Sequence, residues 1–136
     1  MDDRSFIERN RQVVEEFRAN RGKVQGWAPI ILLTIRGAKS GQPRIYPLMS
    51  VPYEGTYLAV ASKGGAPKNP SWYHNLLANP DVTVEAEGET FEATARLLSG
   101  EEREKAFAKA IIVFPNYAEY QKKTSREIPV FILERH

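Results

Sequence analysis

The chain of 136 residues has no cysteine and only two histidines, His74 and His136. Without thiols there is no disulfide framework, no thiolate nucleophile, no cysteine-ligated zinc and no iron–sulfur cluster. One internal imidazole and one on the last residue give a metal little to bind beyond carboxylates, so no metal site is expected. Long apolar runs are missing too. None approaches the roughly 18 residues that a membrane-spanning helix needs, and Met1-Asp2-Asp3-Arg4 carries no signal-peptide core. The expected location is therefore cytoplasmic, and the length suits a single core. Any redox chemistry has to be carried by an organic cofactor.

Acidic residues are scarce in one place. The net charge of +2 conceals a segment, residues 36–80, with five cations (Arg36, Lys39, Arg44, Lys63, Lys68) and one acid, Glu54. Residues 81–104 reverse this, with eight acids against Arg96 and Arg103. The basic segment also holds much of the glycine and proline, including Gly37, Gly41, Gly64, Gly65, Pro43, Pro47, Pro52, Pro67 and Pro70. Cations on turns, beside glycines that let backbone N–H groups approach closely, are what an anionic group requires. Solvated lysines on ordinary turns are the plainer account of the same charges.

Several motifs are absent. Neither Gly-x-x-x-x-Gly-Lys-Ser/Thr nor Gly-x-Gly-x-x-Gly occurs, nor does His-Glu-x-x-His or Gly-x-Ser-x-Gly. The basic stretch is too sparse for a nucleic-acid footprint, and the acids that follow would repel a phosphate backbone.

The pattern along the chain predicts an amphipathic helix over 3–20, with Phe6, Val13, Val14 and Phe17 on one face and Glu8, Arg11, Glu15 and Arg18 on the other. Strands are expected at 30–33, 44–53, 56–62, 81–87, 89–98 and 128–134, the second irregular because Pro47 and Pro52 remove ladder donors. Helices are expected at 70–79, 100–113 and 116–123. Six strands joined mostly by hairpins make an antiparallel α+β domain, and a small barrel or half-barrel removes exposed edges. The expected layout is an N-terminal helix and lead-in over 1–27, then a barrel domain over 28–136.

Three segments carry chemistry together. One is the turn Gly37-Ala38-Lys39-Ser40-Gly41 with Gln42, Pro43 and Arg44; another is Ser62-Lys63-Gly64-Gly65 leading to Trp72, Tyr73 and Asn75; the last is Phe114 with Tyr117 and Tyr120. A flat anionic cofactor suits them, with cations and N–H groups for its phosphate, small residues beneath its ring and aromatics as walls. Trp72 as a core anchor, and Tyr117/Tyr120 as an i, i+3 packing pair, are the structural alternatives.

These motifs give the chain a strong resemblance, over roughly residues 28–134, to the deazaflavin-dependent nitroreductase family. They are Gly37–Arg44, Ala61-Ser62-Lys63-Gly64-Gly65, Asn69-Pro70-Ser71-Trp72-Tyr73, Asn75-Leu76, Ala78-Asn79-Pro80 and Tyr117…Tyr120. The resemblance implies a split β-barrel, here expected with six strands and short flanking helices. It implies coenzyme F420, an 8-hydroxy-5-deazaflavin hydride carrier, and a quinone or nitroaromatic acceptor. Carried over by motif, Lys39 and Arg44 would clamp the phosphate and tail. Ser62, Lys63, Gly64 and Gly65 would border the ring, and Trp72, Tyr73 and Asn75 would contact it or its chain. Tyr117, Tyr120 and Ser62 would serve the acceptor as hydrogen-bond donors. The family often has Tyr where this chain has Phe114, which removes a hydroxyl beside the acceptor. In some relatives an N-terminal amphipathic helix associates with membrane; here the mixed charges of residues 3–20 favour a docking helix, with weak peripheral membrane association as the alternative. Related split barrels often dimerise through the sheet, which makes a homodimer one expectation, while some members are monomers. Two rival readings stand beside this one: a flavin-mononucleotide oxidoreductase of the wider split-barrel group, and a non-catalytic deazaflavin carrier.

Overall fold

The computed structural model describes residues 3–26 and 28–136, with side chains from residue 11 onward apart from residue 27. The expected placements of the Phe6 and Glu8 side chains lie outside the described residues. Helix α1 spans Asp3–Ala19 and precedes strand β1, Ile30–Arg36. There follow β2 (Pro43–Met49), β3 (Pro52–Tyr53), β4 (Thr56–Val60), a 3₁₀ turn at Lys63–Gly65 and α2 (Ser71–Ala78). The chain continues through β5 (Asp81–Ala86), β6 (Glu89–Leu97), α3 (Gly100–Val113), α4 (Asn116–Lys123) and β7 (Val130–Arg135).

All strand pairs are antiparallel, and the sheet order is β2-β1-β5-β6-β7-β4-β3. The expectation of six strands needs correction: seven are present among the described residues. The stretch expected as one strand over 44–53 breaks at Ser50 and Val51. The Ser50 N–H turns to the Pro29 carbonyl, while the Val51 carbonyl accepts from Leu58. One stretch of chain therefore pairs first with β1 at one end of the sheet and then with β4 at the other. Prolines at 47 and 52 suit that change of partner, since each lacks a donor for a continuous ladder. The result is a curled half-barrel with four helices packed against it.

Alternation on the strands sorts the core. Ile31, Leu33, Ile35, Val82, Val84, Ala93, Ala95 and Leu133 join Trp72, Leu76 and Phe131 in the main cluster. A second cluster gathers Val51, Leu58, Ala106, Phe107, Ala110, Tyr117 and Ile128 beneath α3 and α4. Ser99 stands at the N-cap of α3 in extended conformation without a side-chain cap bond, and Glu101 and Glu102 occupy the first turn, where the helix dipole favours them.

Val13, Val14 and Phe17 of α1 are buried against Val24, Ile30 and Leu32. Each such side chain contributes about 1.5–3 kcal/mol when removed from water. Arg18 closes the contact with a two-pronged pair to Glu85 on β5, Nε–Oε1 2.9 Å and Nη2–Oε2 2.8 Å. This part of the helix thus spends its apolar face on the barrel. No described helix is long and apolar enough to cross a membrane.

Candidate functional site

The 37–41 turn closes on itself. Gly37 donates to the Gln42 carbonyl at 2.9 Å, Gly41 donates to the Gly37 carbonyl at 3.0 Å, and the Arg36 guanidinium donates to the Gly41 carbonyl at 3.2 Å. Lys39 and Arg44 stand exposed on either side of it. Helix α2 anchors the turn from behind. The Asn75 side-chain oxygen accepts the Ala38 N–H at 2.9 Å, and Asn79 Nδ2 reaches the Arg36 and Gly37 carbonyls at 3.4 Å.

The second segment leaves β4 and turns sharply. Ser62 is right-handed helical (φ −74°, ψ −40°), and Lys63, Gly64 and Gly65 all have positive φ, at 46°, 62° and 83°. A right-handed residue followed by a left-handed one turns successive N–H groups into a concavity suited to an anion. A side chain added at Gly64 would meet nothing within 4 Å, so the backbone there is open to a ligand. At Gly65 the reverse holds: an added Cβ would lie 2.8 Å from the Tyr120 carbonyl oxygen. Glycine at 65 is what lets α4 sit directly on this turn.

The third segment is an aromatic cluster on α4 and its lead-in. Phe114, Tyr117 and Tyr120 have ring centroids 5.0 Å (114–117), 6.1 Å (114–120) and 6.3 Å (117–120) apart. Tyr120 is half-buried, with Lys123 Nζ 5.8 Å from its ring centroid. Tyr117 is only 4% exposed, and burial pushes its phenol well above the ordinary tyrosine range. It stays neutral at any physiological pH.

The structure therefore ties the three segments together through α2 and α4. Residues 61–69 run directly into α2, α2 holds the 37–41 turn, and α4 rests on Gly65. Trp72 is buried on Phe131 at a centroid distance of 6.3 Å, so it supports the wall from the core side. Tyr73 is half-buried, 5.9 Å from Phe131 and 5.1 Å from His74. Asn75 is already engaged with Ala38 and, through Nδ2, with the Tyr46 hydroxyl at 3.3 Å.

Sequence reasoning missed Arg126, whose guanidinium binds four acceptors of the 61–69 segment. Its position, some 60 residues further along the chain, gave no local signal. Two concavities lie elsewhere. One of about 1120 Å³ is bordered by the end of α1, residues 20–25, Ala28, Pro29 and Glu87, and one of about 480 Å³ is bordered by Tyr53, Tyr57, Lys109 and Arg135. Neither touches the residues above, and each mixes charges of both signs. With Lys39, Arg44, Lys63 and Gly64 exposed, the three-segment site is open to solvent, a shelf suited to a cofactor with a long charged tail.

A curled antiparallel half-barrel, with exposed cations and an N–H concavity on turns joined by α2, defines a split-barrel-like protein suited to a flat anionic organic cofactor. Residues 8–135 match the family of F420H(2)-dependent quinone reductases, and the chain belongs to that family. It is thereby an oxidoreductase that draws its electrons from reduced coenzyme F420. Over 116 residues it is 41% identical to an F420H(2)-dependent quinone reductase of Mycobacterium tuberculosis, spanning 83% of this chain and 78% of that one. A solved F420-H2 dependent reductase (FDR-A) is 53% identical, covering 82% of this chain and 100% of its own, with TM-score 0.75. Another solved structure, described as a domain-swapped dimer, is 45% identical over 98% of this chain and 100% of its own, with TM-score 0.76.

Proposed function

We propose that this shelf is where the chain holds reduced F420 and delivers its hydride to a quinone. The observation that carries the reading is that α2 joins the two cofactor turns: it follows residues 61–69 directly and grips Ala38 through Asn75. The donor set fits an anionic group. Lys39, Arg44 and Lys63 are exposed, and the only acid between residues 36 and 80 is Glu54 on the β3–β4 hairpin.

When bound, the coenzyme supplies a hydride from its central ring carbon. The protein's task is to hold that carbon about 3–3.5 Å from the acceptor atom and to steady the negative charge that grows on the acceptor oxygen. Lys39 and Arg44 bind the phosphate and the start of the tail by charge-assisted hydrogen bonds. The backbone of Ser62–Gly65 borders the ring, and its N–H groups, with the Ser62 hydroxyl, offer donors to an oxyanion. On the acceptor side Tyr120 is the accessible phenol, a hydrogen-bond donor rather than an acid at neutral pH. Tyr117 packs beneath it and limits its movement. Phe114 presents a ring without a hydroxyl, which favours flat apolar acceptors. Trp72 and Tyr73 stiffen the wall.

Quinones are the preferred acceptors and nitroaromatics secondary ones. Incubation with reduced F420 and a menadione-type quinone should restore the oxidised chromophore, more slowly with a nitroaromatic and not at all without acceptor. Equal recovery with and without acceptor would defeat the reading. Tight binding of flavin mononucleotide in place of F420 would favour the flavoenzyme alternative. F420 binding with no acceptor-dependent oxidation would favour the carrier alternative.

A further inference from the structure

Arg126, in the loop between α4 and β7, is half-buried and spends its whole guanidinium on one segment. Nη1 donates to the Ala61 carbonyl at 3.2 Å and to Asn69 Oδ1 at 2.8 Å, Nη2 to the Ser62 carbonyl at 2.8 Å, and Nε to the Ala66 carbonyl at 3.0 Å. All four acceptors are neutral. The loop bearing Arg126 is itself fixed. Gln121 donates to the Arg126 carbonyl at 2.8 Å and accepts from the Ile128 N–H at 3.0 Å. The buried Arg103 donates to Gln121 at 3.0 Å and to the Ile128 carbonyl at 2.8 Å.

In a trans peptide the C=O and N–H point in opposite directions. The carbonyls of Ala61 and Ser62 share their peptide planes with the N–H groups of Ser62 and Lys63. Drawing those two oxygens onto one guanidinium therefore turns both N–H groups the other way. These belong to the right-handed/left-handed pair that forms the anion-binding concavity. The same grip holds Ala66 and Asn69, so both ends of the glycine turn are fixed at once. The fork geometry matters, because a lysine has no rigid set of donors to span four acceptors.

We propose that Arg126 is a positioning residue that aims the Ser62 and Lys63 N–H groups into the cofactor shelf; this rests on the functional reading above. Burial lowers the pKa of its guanidinium, but the group remains cationic at neutral pH. It thus also leaves a positive charge behind the turn, with no carboxylate partner among the described residues.

The test compares the native chain with Arg126→Ala and Arg126→Lys by amide hydrogen exchange and by F420 fluorescence quenching. Exchange in residues 61–69 should accelerate about tenfold or more in Arg126→Ala while β5 and β6 keep native protection. F420 affinity should fall about tenfold, as for loss of a charge-assisted contact. Added guanidinium ion should restore part of both, and Arg126→Lys should restore neither. Unchanged exchange in 61–69, or acceleration shared equally by β5 and β6, would overturn the proposal. So would native F420 affinity in a variant whose turn is loosened. Should Arg126→Ala fail to fold, Asn69→Ala removes one acceptor only; it should speed exchange in 61–69 by a smaller factor, and no change there would likewise overturn it. Failure of the native chain to bind F420 defeats the functional reading, and with it the concavity's ligand, whereas the exchange pattern separately decides whether Arg126 holds the turn.

Discussion

The Asn75 side chain joins a backbone turn to a strand side chain: its oxygen accepts the Ala38 N–H at 2.9 Å, and its nitrogen donates to the Tyr46 hydroxyl at 3.3 Å. The turn bearing Lys39 is thereby fixed both to α2 and to β2. Asn75→Ala removes both bonds, each worth about 0.5–1.5 kcal/mol, and should cost roughly 1–3 kcal/mol of stability. F420 binding should weaken several-fold because Lys39 loses its fixed support. Denaturant melts and a fluorescence titration check the two effects. Full loss of F420 binding with unchanged stability would instead make Asn75 a direct cofactor ligand.

Gly64 and Gly65 are neighbours with different constraints. An alanine at 64 meets nothing within 4 Å and suffers only its left-handed φ of 62°, a penalty of roughly 1–2 kcal/mol. An alanine at 65 carries the same kind of penalty and also drives Cβ to 2.8 Å from the Tyr120 carbonyl and 3.1 Å from Lys123 Cβ. Displacing the helix adds about 1–3 kcal/mol. Gly65→Ala should therefore lower the denaturation midpoint more than Gly64→Ala. It should also reduce quinone turnover by shifting Tyr120. Equal midpoints would show that α4 does not rest on the turn.

Tyr120→Phe should leave F420 affinity near native while slowing quinone reduction by on the order of 10- to 100-fold. That range corresponds to one hydrogen bond to a charged oxygen, about 1.5–3 kcal/mol. Steady-state rates and a binding titration on the same preparation separate the two. Parallel losses would move Tyr120 into the cofactor site.

The buried Tyr117 phenol predicts an alkaline limb in stability. Its folded pKa is raised by burial, whereas in the unfolded chain it ionises near pH 10. Above that pH the folded state holds a proton that the unfolded state has released. Stability is therefore full below about pH 10 and falls as the pH rises further, by at most about 1.4 kcal/mol per pH unit from this group. Tyr117→Phe should flatten that part of the limb in denaturant midpoints measured against pH. A limb of unchanged slope would show that the phenol is not buried in solution.

The local pattern made most of the fold legible. Ile30-Ile31-Leu32-Leu33 reads as a buried strand because its run is short and partly β-branched, and its extension to Arg36 follows from pairing with β2, which no local signal encodes. The break at Ser50 was hidden for the same reason. Partner exchange with Pro29 and Leu58 is a tertiary event, and the prolines signalled only irregularity. At the site, glycines, cations and aromatics stood out by residue type. Their division of labour did not: Asn75 holds a turn, Trp72 lies 6% exposed in the core, and Arg126 grips carbonyls that any residue would present. Backbone acceptors carry no sequence signature, so their partner could not be read in advance.

The most direct test is the dissociation constant of F420 for the native chain, Lys39→Ala, Arg44→Ala and the double variant, followed by quenching of deazaflavin fluorescence. Each cation makes charge-assisted bonds worth about 1.5–3 kcal/mol, so each single variant should bind roughly 10- to 100-fold more weakly and the double variant more weakly still. Affinity undiminished in the double variant would contradict the placement of the coenzyme on this shelf.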